Sequence, residues 1–338
     1  MSLNAPELAL NALPALTPEV LALDCIAEVE RVKTSMLDAL RRFHKRGVVL
    51  GLSGGVDSSV CAALAVQALG PKKVFGLLMP ERDSSAGSAD QGRLVAEQLG
   101  IPYLLEDIGP TVDAIGCYRW RDEAMRAVFP DYNEQWKSKI AISGGAEGRI
   151  NFFKLIVESP DGQRHEARLP LSQYLQIVAA TNYKQRIRKT VEYFHADRLN
   201  YAVIGTPNRL EYDQGFFVKN GDGAADIKPI AHLYKTQVYA LARHLGLPEV
   251  VCTAMPTTDT YSLQQGQDEF YFALPYPQMD LALWAHNHQR PAAELAQALG
   301  LTEAQAAHLY TDLESKRRAT QYLHAKPALV EPIPQVAD

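Results

Sequence analysis

Val48-Val49-Leu50-Gly51-Leu52-Ser53-Gly54-Gly55-Val56-Asp57-Ser58-Ser59 is the stretch on which the reading of this 338-residue chain turns. Its first half is short and almost wholly apolar, as in a strand covered on both faces. The second half breaks that strand on two adjacent glycines and enters a helix from about Ser58 to Leu69. A strand–turn–helix of this kind aims backbone N–H groups and the positive helix end at one point, which suits a polyphosphate. Ser53, Gly54, Gly55, Ser58 and Ser59 are the candidate phosphate-binding residues, the glycines for close backbone approach and the serines for hydrogen bonds. An acidic residue here repels phosphate unless a divalent cation stands between them, so Asp57 reads as a Mg²⁺ ligand. The loop is neither GxxxxGK[ST] nor GxGxxG, which disfavours a Walker-type nucleoside triphosphatase and a dinucleotide-binding dehydrogenase.

Working outward, Val74–Met79 reads as a second buried strand, Ser88–Leu99 as a helix stopped by Gly100, and Tyr103–Glu106 as a third strand. The β-α-β-α-β alternation implies an α/β fold, a Rossmann-like parallel sheet flanked by helices. Upstream, apolar residues at helical spacing predict one helix over 18–46, ended at Gly47. From about Arg119 to Pro170 the pattern loosens. Asn151–Val157 and Arg164–Leu169 flank Ser159-Pro160-Asp161-Gly162 and read as an inserted β-hairpin. Leu171–Arg198 is a long helix or a pair, Tyr201–Gly205 a strand and Thr236–Leu245 a helix. Helices near Ala292–Ala298 and Glu303–Arg318 form a C-terminal helical tail. The expected division is a lead-in and amphipathic helix over 1–46, a core domain over 47–285 with its insertion at about 119–170, and a helical extension over 286–338.

Composition excludes several classes. A net charge of −5 gives no basic field for nucleic acid. No apolar run approaches the roughly 20 residues that span a bilayer. Cys25, Cys61, Cys117 and Cys252 are scattered, with no CxxC pair, which speaks against a disulfide framework and for a reducing cytoplasm. Met1–Thr17 lacks the basic start of a signal peptide and reads as a lead-in.

Ser53-Gly54-Gly55-Val56-Asp57-Ser58 resembles the pyrophosphate loop of the ATP pyrophosphatases, whose fold is of the adenine nucleotide alpha-hydrolase type. Other blocks narrow the resemblance. Met79-Pro80-Glu81-Arg82-Asp83-Ser84-Ser85 is similar to the "MP…SS" segment of NAD synthetases, and Lys184-Gln185-Arg186-Ile187-Arg188 to their ARxR helix. Ile204-Gly205-Thr206-Pro207-Asn208-Arg209-Leu210-Glu211 resembles "GTxNxxE". Gly221-Asp222-Gly223-Ala224-Ala225-Asp226-Ile227-Lys228-Pro229-Ile230 followed by Leu233-Tyr234-Lys235-Thr236-Gln237-Val238 matches "GDGAAD…P…LYKTQV". Pro256-Thr257-Thr258-Asp259 resembles "PTAD", and Asp268-Glu269 with Tyr276–Asp280 resembles "DE…YxxLD". By these blocks, over roughly 47–118 and 171–285, the chain is identified as a member of the ammonia-dependent NAD synthetase family.

The resemblance implies ATP and Mg²⁺, with Asp57 and Glu211 as metal ligands. It adds Met79, Arg186, Thr206, Thr257 and Lys235 to the ATP site, and Arg186, Tyr193, Lys219, Asp222 and Asp226 to the substrate site. Lys235, at a helix start, can neutralise charge as pyrophosphate departs; its alternative is a solvated surface lysine. Arg186 and Arg188 point different ways on a helix, so Arg188 is left as a surface charge. Asp222 and Asp226 have a turn-and-cap alternative, and Tyr193 a core one. The implied reaction joins the nicotinate carboxylate of deamido-NAD to AMP and passes it to ammonia, with Asp222 a candidate for taking ammonium's proton. About 47 residues precede the first strand, too few for a glutaminase domain, so free ammonia or a separate glutaminase is the expected nitrogen source. A homodimer is expected by the same resemblance. Departures at Ala254-Met255, Thr260-Tyr261-Ser262-Leu263 and Phe270-Tyr271-Phe272 leave two alternatives open: a related adenylate-forming amidoligase for another carboxylate, or a nucleotide-binding non-enzyme.

Overall fold

In a computed structural model, residues 15–85, 87–143, 152–254, 261–263 and 274–335 are described. The helix expected over 18–46 divides: a 3-10 turn at Pro18–Leu21 precedes α1 (Cys25–Phe43). The divider is Asp24, whose carboxylate accepts from the Ile26 and Ala27 amides at 3.1 Å and so restarts the chain as an N-cap. The apolar run is β1 (Val48–Gly51), and α2 (Val56–Leu69) begins directly behind the glycine turn. Then come β2 (Val74–Leu78), α3 (Ser88–Leu99), β3 (Tyr103–Leu105), α4 (Gly109–Ala114) and α5 (Cys117–Arg126).

Where the sequence pattern loosens, the structure holds a three-stranded antiparallel sheet of β4 (Lys137–Ser143), β5 (Phe152–Glu158) and β6 (Arg164–Arg168). The expected hairpin is β5–β6, with Lys154 opposite Arg168 and the turn closed by the Ser159 amide on the Gln163 carbonyl. β4 and α5 are additions to what the sequence shows. In β4 the inward positions include Ser138 beside Ile140, so the apolar alternation that marks a strand is broken.

The chain continues through α6 (Leu171–Leu199), β7 (Ala202–Val203), α7 (Arg209–Gln214), α8 (Lys235–His244), α9 (Glu249–Thr253), α10 (Tyr276–Asn287), α11 (Ala292–Leu299) and α12 (Glu303–His324). β3, β2, β1 and β7 form, in that order, a parallel sheet, with Val48 beside Val74 on one flank and Ala202 on the other. Strand alternation feeds two cores. Val48 and Leu50 pack with α1, α2 and α8, whereas Val49 packs with Val112 of α4, Cys117 and Tyr118 of α5 and Ala196 of α6. The glycine turn, Met79 and Gly205 thus meet at the C-terminal edge of the sheet, where α/β folds place their ligands. Leu281 and Ala282 of α10 pack with Leu295 of α11 and Leu309 of α12, and Leu283 and Leu313 share a core with Leu210 of α7. No helix among the described residues is long and apolar enough to cross a membrane.

Candidate functional site

Gly54 sits at φ +79°, and a Cβ there would lie 2.6 Å from the Gln91 Cβ and 2.8 Å from the Ser88 carbonyl oxygen. Only glycine meets both conditions. Gly55 caps α2 without any side-chain acceptor, so the first-turn amides face an incoming anion. Ser53 and Ser58 hydroxyls lie 3.2 Å apart at the turn. Ser59 is fully buried and donates its hydroxyl to the Gly55 carbonyl at 2.8 Å, so in the free protein it builds the turn rather than facing a ligand. Gly54→Ala is expected to lower ATP affinity about tenfold and to reduce stability by roughly 1–3 kcal/mol, from the left-handed backbone and the forced overlap. Unchanged ATP titration by calorimetry and an unchanged urea midpoint would exclude this account.

Across the turn stands a buried charge cluster. Lys235, at the first position of α8, pairs through Nζ with Oδ2 of Asp57 and is 2% exposed, so the surface-lysine alternative is set aside. Asn208 donates Nδ2 to the other Asp57 oxygen at 3.3 Å, and its own Oδ1 caps α7 by accepting from the Leu210 and Glu211 amides. Glu211 answers with Oε2 on the Asn208 amide at 3.1 Å, a capping box that fixes its carboxylate toward Asp57. Burial, then repulsion from Asp57, pushes Glu211 up to about 8, with Lys235 offsetting part of this. Burial pulls the Lys235 pKa down, but the Asp57 and Glu211 carboxylates outweigh it and hold the ammonium charged. One ammonium therefore serves two carboxylates, that of Glu211 buried and that of Asp57 half-buried. That deficit of positive charge, on an oxygen donor set beside a phosphate turn, fits Mg²⁺. Among the described residues no three acids, histidines or cysteines converge as a complete metal cage.

The Tyr276 ring lies 5.2 Å from the Lys235 ammonium, and Asp280 of the same α10 accepts the Thr236 amide at 2.8 Å, capping α8. Burial pushes Asp280 up to about 6 against the hydrogen bonds from Thr236. A carboxyl raised above its ordinary 3.8 contributes stability that is full below that value and lost as pH rises to about 6. Asp280→Asn keeps an acceptor for Thr236 and abolishes the titration. The variant should gain roughly 2–3 kcal/mol on the wild type between about pH 4 and about pH 7, read from urea midpoints. Parallel pH curves for the two proteins would refute it.

The structure redistributes the remaining sequence candidates. Arg188, left as a surface charge, reaches the sheet edge: its Nε donates to the Met79 carbonyl and its Nη2 toward Ser84, at 3.3 and 3.4 Å. Arg186 is exposed and donates to the Lys219 carbonyl at 3.3 Å. A helix turns by about 100° per residue, so two positions separate the two arginines widely; which one meets the turn is a tertiary outcome. Tyr193 donates to Asp226, which also accepts the Val203 amide at 2.7 Å, and Asp222 accepts the Val218 amide. In the free protein Asp222 thus braces its own turn, whereas Asp226 ties that turn to β7 and α6. The Lys219 ammonium, a substrate candidate by sequence, donates in the free protein to the Tyr322 and Ala325 carbonyls. Thr206 lies half-buried in the β7–α7 turn, and Thr257 falls outside the described residues, as do 256–259 and 268–269.

Two features escaped the sequence. Asn208 organises both carboxylates, and only its place in a GTxNxxE-like block hinted at it. The loop behind β2 is held by a buried network, in which Lys184 Nζ meets Asp83 at 2.6 Å and Glu81 at 3.0 Å, and Arg121 also pairs with Asp83. Burial raises the Asp83 pKa, but Lys184 and Arg121 outweigh it and hold the carboxyl below its ordinary range. Its partners come from α5 and α6, about 40 and 100 residues downstream, beyond any local pattern.

Fold and site together define an α/β nucleotide-binding protein with an acidic, lysine-bridged phosphate turn. A family model described as NAD synthase matches residues 28–141 and 156–321. An NH(3)-dependent NAD(+) synthetase of Rhizobium meliloti (strain 1021) is 56% identical over 319 residues, 94% of this chain and 96% of the relative. Among solved structures, the NMN synthetase from Francisella tularensis superposes with TM-score 0.62 at 21% identity, over 92% of this chain and 100% of that one. The NH3-dependent NAD synthetase from Campylobacter jejuni does so with TM-score 0.60 at 22% identity, with the same coverage. The chain belongs to the NAD synthase family, whose matched segments include β6 and most of α12 and leave only 142–155 between them unmatched. Its members are ligases of NAD biosynthesis that bind ATP.

Proposed function

We propose that this chain makes NAD by activating the nicotinate carboxylate of deamido-NAD with ATP and amidating it with ammonia. The observation that carries the reading is the Asp57–Lys235–Glu211 cluster at the mouth of the glycine turn. In the first step the carboxylate oxygen attacks the α-phosphorus, and the bond to the β-phosphate oxygen breaks, giving an acyl-adenylate and pyrophosphate. In the second, ammonia attacks the activated carbonyl, AMP leaves and one proton is lost. Amides of the α2 first turn hold phosphate oxygens. Asp57 and Glu211 would hold Mg²⁺, which supplies positive charge to the polyphosphate. Lys235 then exchanges its carboxylate partners for the oxygens of departing pyrophosphate, a charge-neutralising role in a water-poor site. Asp222, half-buried and with its pKa pushed up by desolvation, is poised to accept the ammonium proton.

Support for the acceptor comes from the near-complete match to an NH(3)-dependent NAD(+) synthetase. Homodimer formation belongs to the same proposal, and Leu171 and Leu175 of α6 with Trp120 of α5 expose apolar surface that such a contact would cover. Four free thiols accord with work in a reducing cytoplasm. The test is incubation with Mg-ATP and ammonium, with and without deamido-NAD, following NAD and AMP by mass spectrometry. Equal NAD and AMP support the proposal. ATP binding with no NAD formed would reject deamido-NAD and direct the search to another carboxylate.

A further inference from the structure

The C-terminal helix α12 grips the segment between Glu211 and Asp222 at four points. Arg317 forks onto Asp213, Nε to Oδ1 at 2.6 Å and Nη2 to Oδ2 at 2.9 Å. Thr320 presses on Gly215, which closes α7 at φ +69°; a Cβ there would lie 2.3 Å from the Thr320 Cβ. The His324 ring stands edge-on to Phe217 and Tyr212, with centroids at 5.0 and 4.8 Å. Lys219 donates to the Tyr322 and Ala325 carbonyls, at 2.6 and 3.2 Å, where the helix end is negative.

Arg317 also holds the opposite wall. Its Nη2 donates to Asn287 Oδ1 and its Nη1 lies 3.4 Å from His286 Nδ1, both at the end of α10, with Nη1 anchored on Glu314 at 2.9 Å. α10 carries Tyr276 against Lys235 and Asp280 on the α8 N-terminus. One guanidinium therefore joins the helix that carries Glu211 to the helix that seats Lys235. None of these α12 contacts lies among the phosphate-turn residues.

We infer that α12 is a clamp that sets the positions of Glu211 and Asp222, with Arg317 as its positioning residue; this rests on the reaction proposed above. A planar fork fixes direction as well as distance. Freed from it, α7 keeps its capping box but loses its placement against Asp57 and Lys235, and the cation site widens.

The test uses full-length Arg317→Met and Arg317→Lys. By hydrogen exchange without ligands, Arg317→Met should exchange amides of 209–223 about tenfold faster while β1 and β2 keep their protection. In turnover, the Mg²⁺ concentration for half-maximal rate should rise about tenfold or more, as for loss of an outer-shell support, and Arg317→Lys should recover part of both effects. Unchanged exchange over 209–223, or loosening spread evenly through the sheet with no shift in Mg²⁺ demand, overturns the clamp. Should Arg317→Met not fold, Lys219→Met decides. The clamp requires faster exchange at both 216–223 and 319–325, whereas a raised acceptor KM with unchanged exchange overturns it. The exchange result stands apart from the acceptor's identity, so a wrong substrate and a wrong clamp give different failures.

Discussion

Lys235→Met is expected to lower the rate of AMP and pyrophosphate formation by two to three orders of magnitude, on the order of the loss of one preorganised charge in a dry site. The lysine is buried at the start of α8 and paired with Asp57, so methionine fills its volume and removes only its charge. Two carboxylates then face one another without a counter-ion. Removing one partner of a buried pair costs about 3–5 kcal/mol. Part of that is recovered here because Glu211, already pushed up to about 8, can carry a proton at neutral pH. Binding of Mg-ATP should survive, since the turn amides and both proposed acidic ligands are intact, and the defect should appear in kcat rather than in KM for ATP. A variant that turns over within tenfold of the wild type would show that Lys235 is structural.

Asp57→Ala should abolish AMP formation, to below about one part in a thousand of the wild-type rate, because the change removes both the proposed cation ligand and the partner of Lys235. Asp57→Asn separates these. It keeps an oxygen for the Asn208 amide while removing the charge that repels Glu211. Glu211 should then ionise more readily and take Lys235 as its partner, so Asp57→Asn should be nearly as stable as the wild type yet almost inactive. Mg²⁺ titration followed by pyrophosphate release, with urea midpoints alongside, tests both halves. Unchanged turnover in either variant would sink the metal site drawn on Asp57.

The parts legible in the sequence are those whose physics is local. A doubly covered strand shows as an apolar run, and the turn behind it as Gly54-Gly55 between strand and helix; the place of Asp57 in that turn is what suggests a cation there. The β5–β6 hairpin could be read from its turn. β4 could not, because its inward positions mix Ser138 with Ile140, nor could the break at Asp24, where a cap and a mid-helix acid look alike until the hydrogen bonds are drawn.

By itself the sequence determined the parallel α/β core, the phosphate turn with Asp57, and the family blocks that hold Glu211, Asp222 and Lys235. The tertiary structure alone decided how these act together. It brought Lys235 to Asp57 across 178 positions, turned Arg188 rather than Arg186 to the sheet edge, and gave Lys219 to the end of α12. The reason is physical: backbone periodicity is written residue by residue, whereas the partner of a buried charge is chosen by which chain segments exclude water around it.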